Sequence, residues 1–126
     1  LLVTLAQILT GTEVRETVDV LLKQGLDRPD LAASLAESQV LYLIHRSGYW
    51  VVLLAHAFWM WRMGPFGHTH VLRARNLVAL LLLAQLVTGI LFAYGAFPAW
   101  AQPLHLLLGL GVFLTSWGLF WRTTSR

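Results

Sequence analysis

Three stretches of this chain are apolar over the length of a membrane-spanning helix, and they constrain its fold more than any other feature. They cover about residues 39–62, 77–97 and 103–121. A hydrocarbon core about 30 Å thick needs roughly 20 apolar residues in a helix, because each residue adds about 1.5 Å. Backbone polar groups in lipid have to be satisfied within the segment, so the stretches predict α-helices. The predicted class is all-α and integral to a membrane.

The composition agrees with a lipid environment. Hydrophobic residues make up 57% of the 126 residues and charged residues only 12%, about half the share found in soluble domains. This balance excludes a soluble enzyme. Cysteine is absent, which excludes disulfides, thiolate metal sites and thiol catalysis. The nine Lys and Arg are dispersed rather than gathered into a basic stripe, so lipid and not nucleic acid is the expected partner.

A fourth apolar stretch, residues 1–11, is too short to span. At about 1.5 Å per residue it rises only about 16 Å. It also lacks the basic region and the cleavage site of a signal peptide. We therefore expect the chain to begin inside a truncated helix. With that helix, residues 1–126 are predicted to form one antiparallel four-helix bundle.

The charged residues predict how the bundle is oriented. Loops rich in Lys and Arg stay inside, and basic residues flank the second loop and follow the last helix: Arg62, Arg73, Arg75, Arg122 and Arg126. All six acidic residues fall in the segment 12–38, which is then on the outer side. Apolar residues recur there at helical spacing until Gly25 and Pro29 interrupt them. We expect one or two short surface helices in this segment, with a solvated loop as the alternative.

A short internal repeat predicts that the first and third spanning helices are equivalent. Residues 5–11 read LAQILTG and residues 83–89 read LAQLVTG. In an up-down ring of four helices, the first and third are diagonal neighbours, and so are the second and fourth.

Two histidines are predicted at the same depth on the diagonal second and fourth helices. His45 lies about two turns below the outer end of one, and His105 lies just inside the outer end of the other. Gly48 and Gly109 follow them on the same helical faces and would leave room for a flat macrocycle; close helix packing is the alternative. Neutral imidazoles bind iron without burying a charge. The pair therefore predicts a b-type haem with two histidine ligands.

Two arginines are candidates to pair with the carboxylates of such a haem. Arg46 points about 100° away from His45, toward the rim of a bound ring, where a guanidinium can pair with a propionate. Its alternative is to extend to the membrane interface. Arg15 can play the same part from the first helix, or it can pair on the surface with Glu13 or Asp19.

The remaining histidines have simpler interpretations. His56 lies on the same face as His45 but about 16 Å deeper. It is expected to be a hydrogen-bonded core residue, with a ligand of a second haem as the alternative. His68 and His70 are expected in a solvated inner turn.

Four motifs together resemble the C-terminal half of the haem A synthase family. They are residues 6–16 (AQILTGTEVRE), the His45-Arg46 pair, residues 85–89 (QLVTG) and the Leu104-His105 pair. The resemblance runs in order along nearly the whole chain. It implies eight transmembrane helices in two similar halves, each with a histidine pair on the outer side. It also implies the oxidation of the C8 methyl of haem O to the formyl group of haem A, which aa3-type oxidases use.

By this resemblance, His45 and His105 would be the axial ligands of a haem b. The implied partners are the N-terminal half of the same enzyme and haem O synthase. The implied location is a bacterial plasma membrane, in preference to a mitochondrial inner membrane, with the histidines toward the periplasmic side.

One departure from the family bears on the mechanism. The family's N-terminal half has a glutamate implicated in catalysis three residues before its His-Arg pair, and Tyr42 stands there in this chain. The loop cysteine pair of some members is also missing. We therefore expect no catalytic residue here, and a haem that transfers electrons or stabilises the fold. The alternatives are a stand-alone b-type cytochrome subunit and a haem-free membrane assembly subunit.

Overall fold

The computed structural model describes residues 1–63 and 69–124, which form five α-helices and no β-strand. The helices are α1 (Leu2–Lys23), α2 (Leu31–Ser38), α3 (Val40–Met63), α4 (Thr69–Tyr94) and α5 (Ala101–Thr124). A single 3-10 turn, Arg28–Asp30, precedes α2. The all-α prediction is confirmed for this part of the chain.

Two of these helices, α4 and α5, are long and apolar enough to cross a membrane. The sequence predicted a third span in α3, which has 24 residues and so has the length. Its mean hydropathy is lower than that of a candidate membrane span, because it carries His45, Arg46 and His56. The polar residues that are candidates for the functional site are thus also the ones that lower the hydropathy of α3.

The first helix does not end at Gly11, where the sequence placed the start of an outer segment. Gly11, Val14 and Val18 recur at three- and four-residue spacing, so one face stays packed past the glycine. The helix ends in a Schellman motif, in which Leu26 N–H bonds Leu21 O and Gly25 N–H bonds Leu22 O. Gly25 takes the left-handed conformation that this ending requires, with φ at +89°. In the predicted outer segment, residues 12–38, the 3-10 turn and α2 are therefore the elements separate from α1.

The link between α4 and α5 also differs from the prediction, which continued the helix to residue 97. The helix ends at Tyr94, and Ala96 and Phe97 both have positive φ, at 57° and 51°. Such conformations are costly for non-glycine residues. Here the Phe97 side chain is buried, and Arg28 Nη1 donates a hydrogen bond to Phe97 O at 3.1 Å. Gly95 and Pro98 are local signals for the end of the helix, and tertiary contacts hold the turn between them.

The long helices form two antiparallel pairs, α1–α3 and α4–α5. In the α1–α3 pair, Gly11 lies beside His45 and Gln7 lies beside Gly48. In the α4–α5 pair, Gly89 and Gln85 lie beside His105 and Gly109 in the same way. Helix α1 also packs against α5, and α3 against α4.

Two apolar clusters lie along these helices, and the residues of the candidate site lie between them. The cap cluster joins α2 to the ends of the long helices and consists of Val14, Val18, Leu31, Leu35, Tyr42 and Phe97. The base cluster consists of Val52, Val78, Leu82 and Val112. On α3, His45 follows Tyr42 of the cap cluster and precedes Val52 of the base cluster. Helix α2 therefore covers one side of the layer that contains His45.

We predict that Leu35→Ala destabilises the protein by about 2–5 kcal/mol, because Leu35 is fully buried in the cap cluster and its truncation leaves a cavity. Glu37→Ala, at an exposed position of the same helix, is the control and should change stability by less than about 0.5 kcal/mol. Unfolding of the detergent-solubilised protein, followed by circular dichroism, measures both. Equal stability of the two variants would contradict the capping role of α2.

Candidate functional site

A cavity of about 430 Å³ lies between the cap cluster and the base cluster. Its volume is within the range of cofactor and small-molecule pockets, about 300–1,000 Å³. Residues of α1, α3, α4 and α5 line it. Five of the six residues predicted to bind a cofactor are among them: Arg15, His45, Arg46, His105 and Gly109.

The structure brings the two predicted ligand histidines together across this cavity. The ring centroids of His45 and His105 are 6.3 Å apart, and the ring planes make an angle of 69°. The two imidazoles come from α3 and α5, which belong to different helix pairs. Phe92 of α4 packs edge-on against the His105 ring, at a centroid distance of 5.2 Å.

On the α1–α3 side, the imidazole of His45 is held by Thr10. The Thr10 hydroxyl lies 3.2 Å from His45 Nδ1, and it donates its hydrogen to Gln7 O at 3.1 Å. Gly11 lets the ring approach the helix, since a Cβ at that position would lie 2.8 Å from His45 Cε1. Gln7 adds a second link by donating a hydrogen bond from its amide to His45 O.

On the α4–α5 side, Thr88 holds His105 in the same manner. The Thr88 hydroxyl lies 2.6 Å from His105 Nδ1, and its hydrogen goes to the backbone carbonyls of Ala84 and Gln85, at 3.2 and 2.9 Å. A Cβ at Gly89 would lie 3.9 Å from His105 Cε1. The contacts of the first pair are thus repeated in the second.

These hydrogen bonds are the basis for assigning the nitrogen that carries the proton in each ring. A threonine hydroxyl has one hydrogen, and both hydroxyls donate it to a backbone carbonyl, so each accepts a hydrogen bond from the histidine. The hydrogen positions follow from the bonding network. Both neutral rings therefore carry hydrogen on Nδ1 and a lone pair on Nε2, the nitrogen available to bind a metal.

The sequence repeat is the source of this symmetry. Its shared letters place Gln, Thr and Gly at equivalent positions, and in both copies they surround a histidine of the partner helix. Sequence reasoning found the repeat and the histidines but missed the partners Gln7, Thr10, Gln85 and Thr88. The signal was present, because both copies of the repeat read Gln-x-x-Thr-Gly at the depth of a histidine.

The two glutamines differ in what they bind. Gln85 Nε2 donates a hydrogen bond to His105 Nε2 at 3.0 Å, whereas Gln7 bonds the backbone of His45. Gln85 Oε1 is buried with no hydrogen-bond partner in the described part of the chain. The amide of Gln85 thus occupies the lone pair that a metal would take.

Gly48, the sixth residue predicted to bind a cofactor, is not among the residues that line the cavity. A Cβ at Gly48 would lie 2.7 Å from Gln7 Oε1, so this glycine makes room for Gln7 rather than lining the cavity. Gly109 does line it, and a Cβ there would lie 3.4 Å from Gln85 Nε2.

The two arginines lie at the edge of the cavity. Arg46 Nη2 donates a hydrogen bond to the Tyr94 hydroxyl at 3.2 Å, and its guanidinium lies 5.9 Å from the centre of the Tyr94 ring. Arg15 Nε lies 4.0 Å from Asp19 Oδ2, and both side chains are about half exposed. This is the surface pair given as one alternative for Arg15, and an exposed pair of this kind contributes little to stability.

His56 is a core residue, which confirms the first interpretation. It is 5% exposed. Its Nδ1–H donates to Val52 O at 2.9 Å, and Nε2 accepts a hydrogen bond from Ser116 Oγ at 3.2 Å. His70 lies in the first turn of α4 rather than in a loop, and His68 lies outside the described residues. Within residues 1–63 and 69–124, no three His, Cys, Asp or Glu side chains cluster as a metal site.

The spacing of the histidine pair would suit a metal held by both rings. Two metal–nitrogen bonds of about 2 Å, with the distance from each nitrogen to its ring centre, add up to about 6 Å, close to the observed 6.3 Å. The donor set fits as well, because both Nδ1–H groups are already bonded to an acceptor, as is usual for metal-bound histidines.

Comparisons of the chain with protein-family models, with characterised proteins and with solved structures give no significant match. The function is therefore inferred from the site and from the motif resemblance in the sequence.

We predict that Gly11→Ala displaces the His45 ring and destabilises the protein, because the added methyl group would lie 2.8 Å from His45 Cε1. Gly118→Ala is the matched control in another long helix. A Cβ there meets nothing within 4 Å, so stability should stay constant or rise by up to about 1 kcal/mol. Thermal unfolding in detergent distinguishes the two. A Gly11→Ala protein as stable as Gly118→Ala would show that the ring contact is unimportant.

Proposed function

We propose that this chain binds a b-type haem in its central cavity, with His45 and His105 as axial ligands through Nε2, and that it is the C-terminal half of a haem A synthase. The observation that carries the proposal is the meeting of two imidazoles, 6.3 Å apart, across a cavity of about 430 Å³. Both present the tautomer that a metal requires. When bound, the haem would supply one-electron oxidation and reduction.

The polar groups around the cavity suit the rest of such a ligand. Gly11 and Gly89 allow the imidazoles to lie against α1 and α4. Arg46, at the edge, would donate hydrogen bonds to a propionate in place of the Tyr94 hydroxyl, because a guanidinium bonds a carboxylate more strongly than a neutral phenol. Arg15 provides a second cation at that edge.

The proposed setting is a four-helix antiparallel bundle in a membrane. Helices α1, α3, α4 and α5 would span or enter the bilayer, with α2 on the periplasmic side beside the histidines. Two observations support this setting. Helices α4 and α5 are long and apolar enough to cross a membrane, and the helices of the α1–α3 pair and of the α4–α5 pair run in opposite directions. By resemblance, the membrane is a bacterial plasma membrane. The proposed partners are lipid, the N-terminal half of the enzyme and haem O synthase.

The haem in this half would transfer electrons or stabilise the fold rather than react with substrate. Two histidine ligands fill both axial positions and leave none for oxygen or substrate. Tyr42, at the position of the family's glutamate, is 6% exposed within the cap cluster and offers no carboxylate. The same two-ligand arrangement favours the second candidate, a stand-alone b-type cytochrome subunit.

We predict that His45→Ala and His105→Ala each abolish the low-spin b-type spectrum of the purified protein, because each removes one axial ligand. His70→Ala, which changes a histidine that does not line the cavity, should leave the spectrum intact. The measurements are reduced-minus-oxidised spectra and haem content by the pyridine haemochrome assay. Unchanged spectra in both ligand variants would refute the ligand assignment.

Deletion of the reading frame in its native host separates the two candidates. If the chain belongs to haem A synthase, the membranes should accumulate haem O and lose haem A in chromatography of extracted haems. Restoration by the wild-type gene and failure by His105→Ala would tie the loss to this site. An unchanged haem A content would instead favour the cytochrome.

A further inference from the structure

Two threonines inside α1 and α4 make contacts that their helices do not require. Thr10 and Thr88 each bond a backbone carbonyl of their own helix, as threonines in apolar helices commonly do. Each hydroxyl oxygen also accepts a hydrogen bond from a histidine Nδ1 on the neighbouring helix. The same arrangement occurs twice, in two copies of one sequence repeat.

We propose that Thr10 and Thr88 are positioning residues that keep His45 and His105 in the Nδ1–H tautomer and thereby set the strength of Nε2 as a metal donor. This inference rests on the proposed function as far as it concerns haem. The part that concerns the tautomer stands on the protein alone.

The physical reason is that a neutral imidazole can carry its proton on either nitrogen, and only an unprotonated Nε2 can bind a metal in this cavity. An acceptor at Nδ1 stabilises the required tautomer. It also orients the ring and draws electron density toward Nε2, which makes that nitrogen more basic. Removing such partners typically weakens metal affinity by about 10–100-fold.

The two bonds are not equal, and the difference predicts a ranking. The Thr88–His105 distance is 2.6 Å, whereas the Thr10–His45 distance is 3.2 Å. On the α4–α5 side, Gln85 already donates an amide hydrogen to His105 Nε2, which places the lone pair on that nitrogen. The shorter bond predicts that Thr88 affects the donor strength of its histidine more than Thr10 does, whereas Gln85 shares with Thr88 the control of the His105 tautomer.

The test compares Thr88→Val and Thr10→Val, which remove the hydroxyl and keep the branched shape. Thr88→Ser restores the hydroxyl. Thr17→Val is the matched control, because Thr17 bonds Glu13 O in the same helix as Thr10 and does not line the cavity. Haem titration of the haem-free protein gives the affinity, redox titration gives the midpoint potential, and nitrogen-15 NMR of the histidine rings gives the tautomer without haem.

We expect Thr88→Val to weaken haem binding by about 10–100-fold and Thr10→Val to weaken it less. The potential should become more positive, because a weaker donor stabilises ferric iron less. Thr88→Ser should recover both properties. In the haem-free protein, Thr10→Val should lose the pure Nδ1–H tautomer of His45, and Thr88→Val should change the His105 tautomer less, because Gln85 still donates to Nε2. If Thr88→Val does not fold, Thr10→Val and Thr88→Ser carry the test.

The proposal is overturned if Thr10→Val and Thr88→Val match Thr17→Val in tautomer, affinity and potential. Failure of the proposed function looks different. The wild-type protein would then bind no haem, while the NMR comparison would still show whether the threonines fix the tautomers.

Discussion

The structure depends on how two imidazoles are satisfied in a largely apolar layer. Burying an N–H group without an acceptor is costly, and lipid offers no water to replace one. Here each Nδ1–H has an acceptor on the neighbouring helix, Thr10 for His45 and Thr88 for His105. The His45 bond also requires Gly11 beside the threonine, because a Cβ there would lie 2.8 Å from the ring. These requirements fix the relative positions of α1 and α3, and of α4 and α5.

The same solution appears twice because the repeat supplies the same three residue types at the same depth. The two copies differ in what their glutamines bind. Gln7 joins the backbone of α3, which adds to the packing of that pair, while Gln85 turns its amide to the histidine ring. A ligand that takes the lone pair of His105 has to displace this amide. Gln85 Oε1 has no hydrogen-bond partner in the described part of the chain, so the displaced amide would lose the bond from its Nε2 to His105 and none from Oε1.

The long helices and the depth of the histidines could be predicted from the sequence because apolar length and helical rise are local properties. The end of α1 could not, since Gly11 is typical of a helix end in isolation but packs against a ring here. The turn at Ala96 and Phe97 depends on burial and on Arg28, far away in sequence. The roles of Thr10 and Thr88 were hidden for a related reason. A threonine in an apolar helix is usually satisfied by its own backbone, and only the tertiary pairing shows what the second lone pair accepts.

The two histidines belong to different helix pairs, and this has a thermodynamic consequence. Neither the α1–α3 pair nor the α4–α5 pair contains both histidines, so a group bound by both nitrogens links the pairs across the cavity. A ligand that binds only the assembled state stabilises it by RT ln(1 + [L]/Kd). Helix assembly and ligand binding are therefore coupled, and the apolar contacts of the two clusters set how much assembly exists before the ligand arrives. The hydrogen bonds that orient the rings act on the same equilibrium, because a ring held in the correct tautomer loses less freedom when it binds.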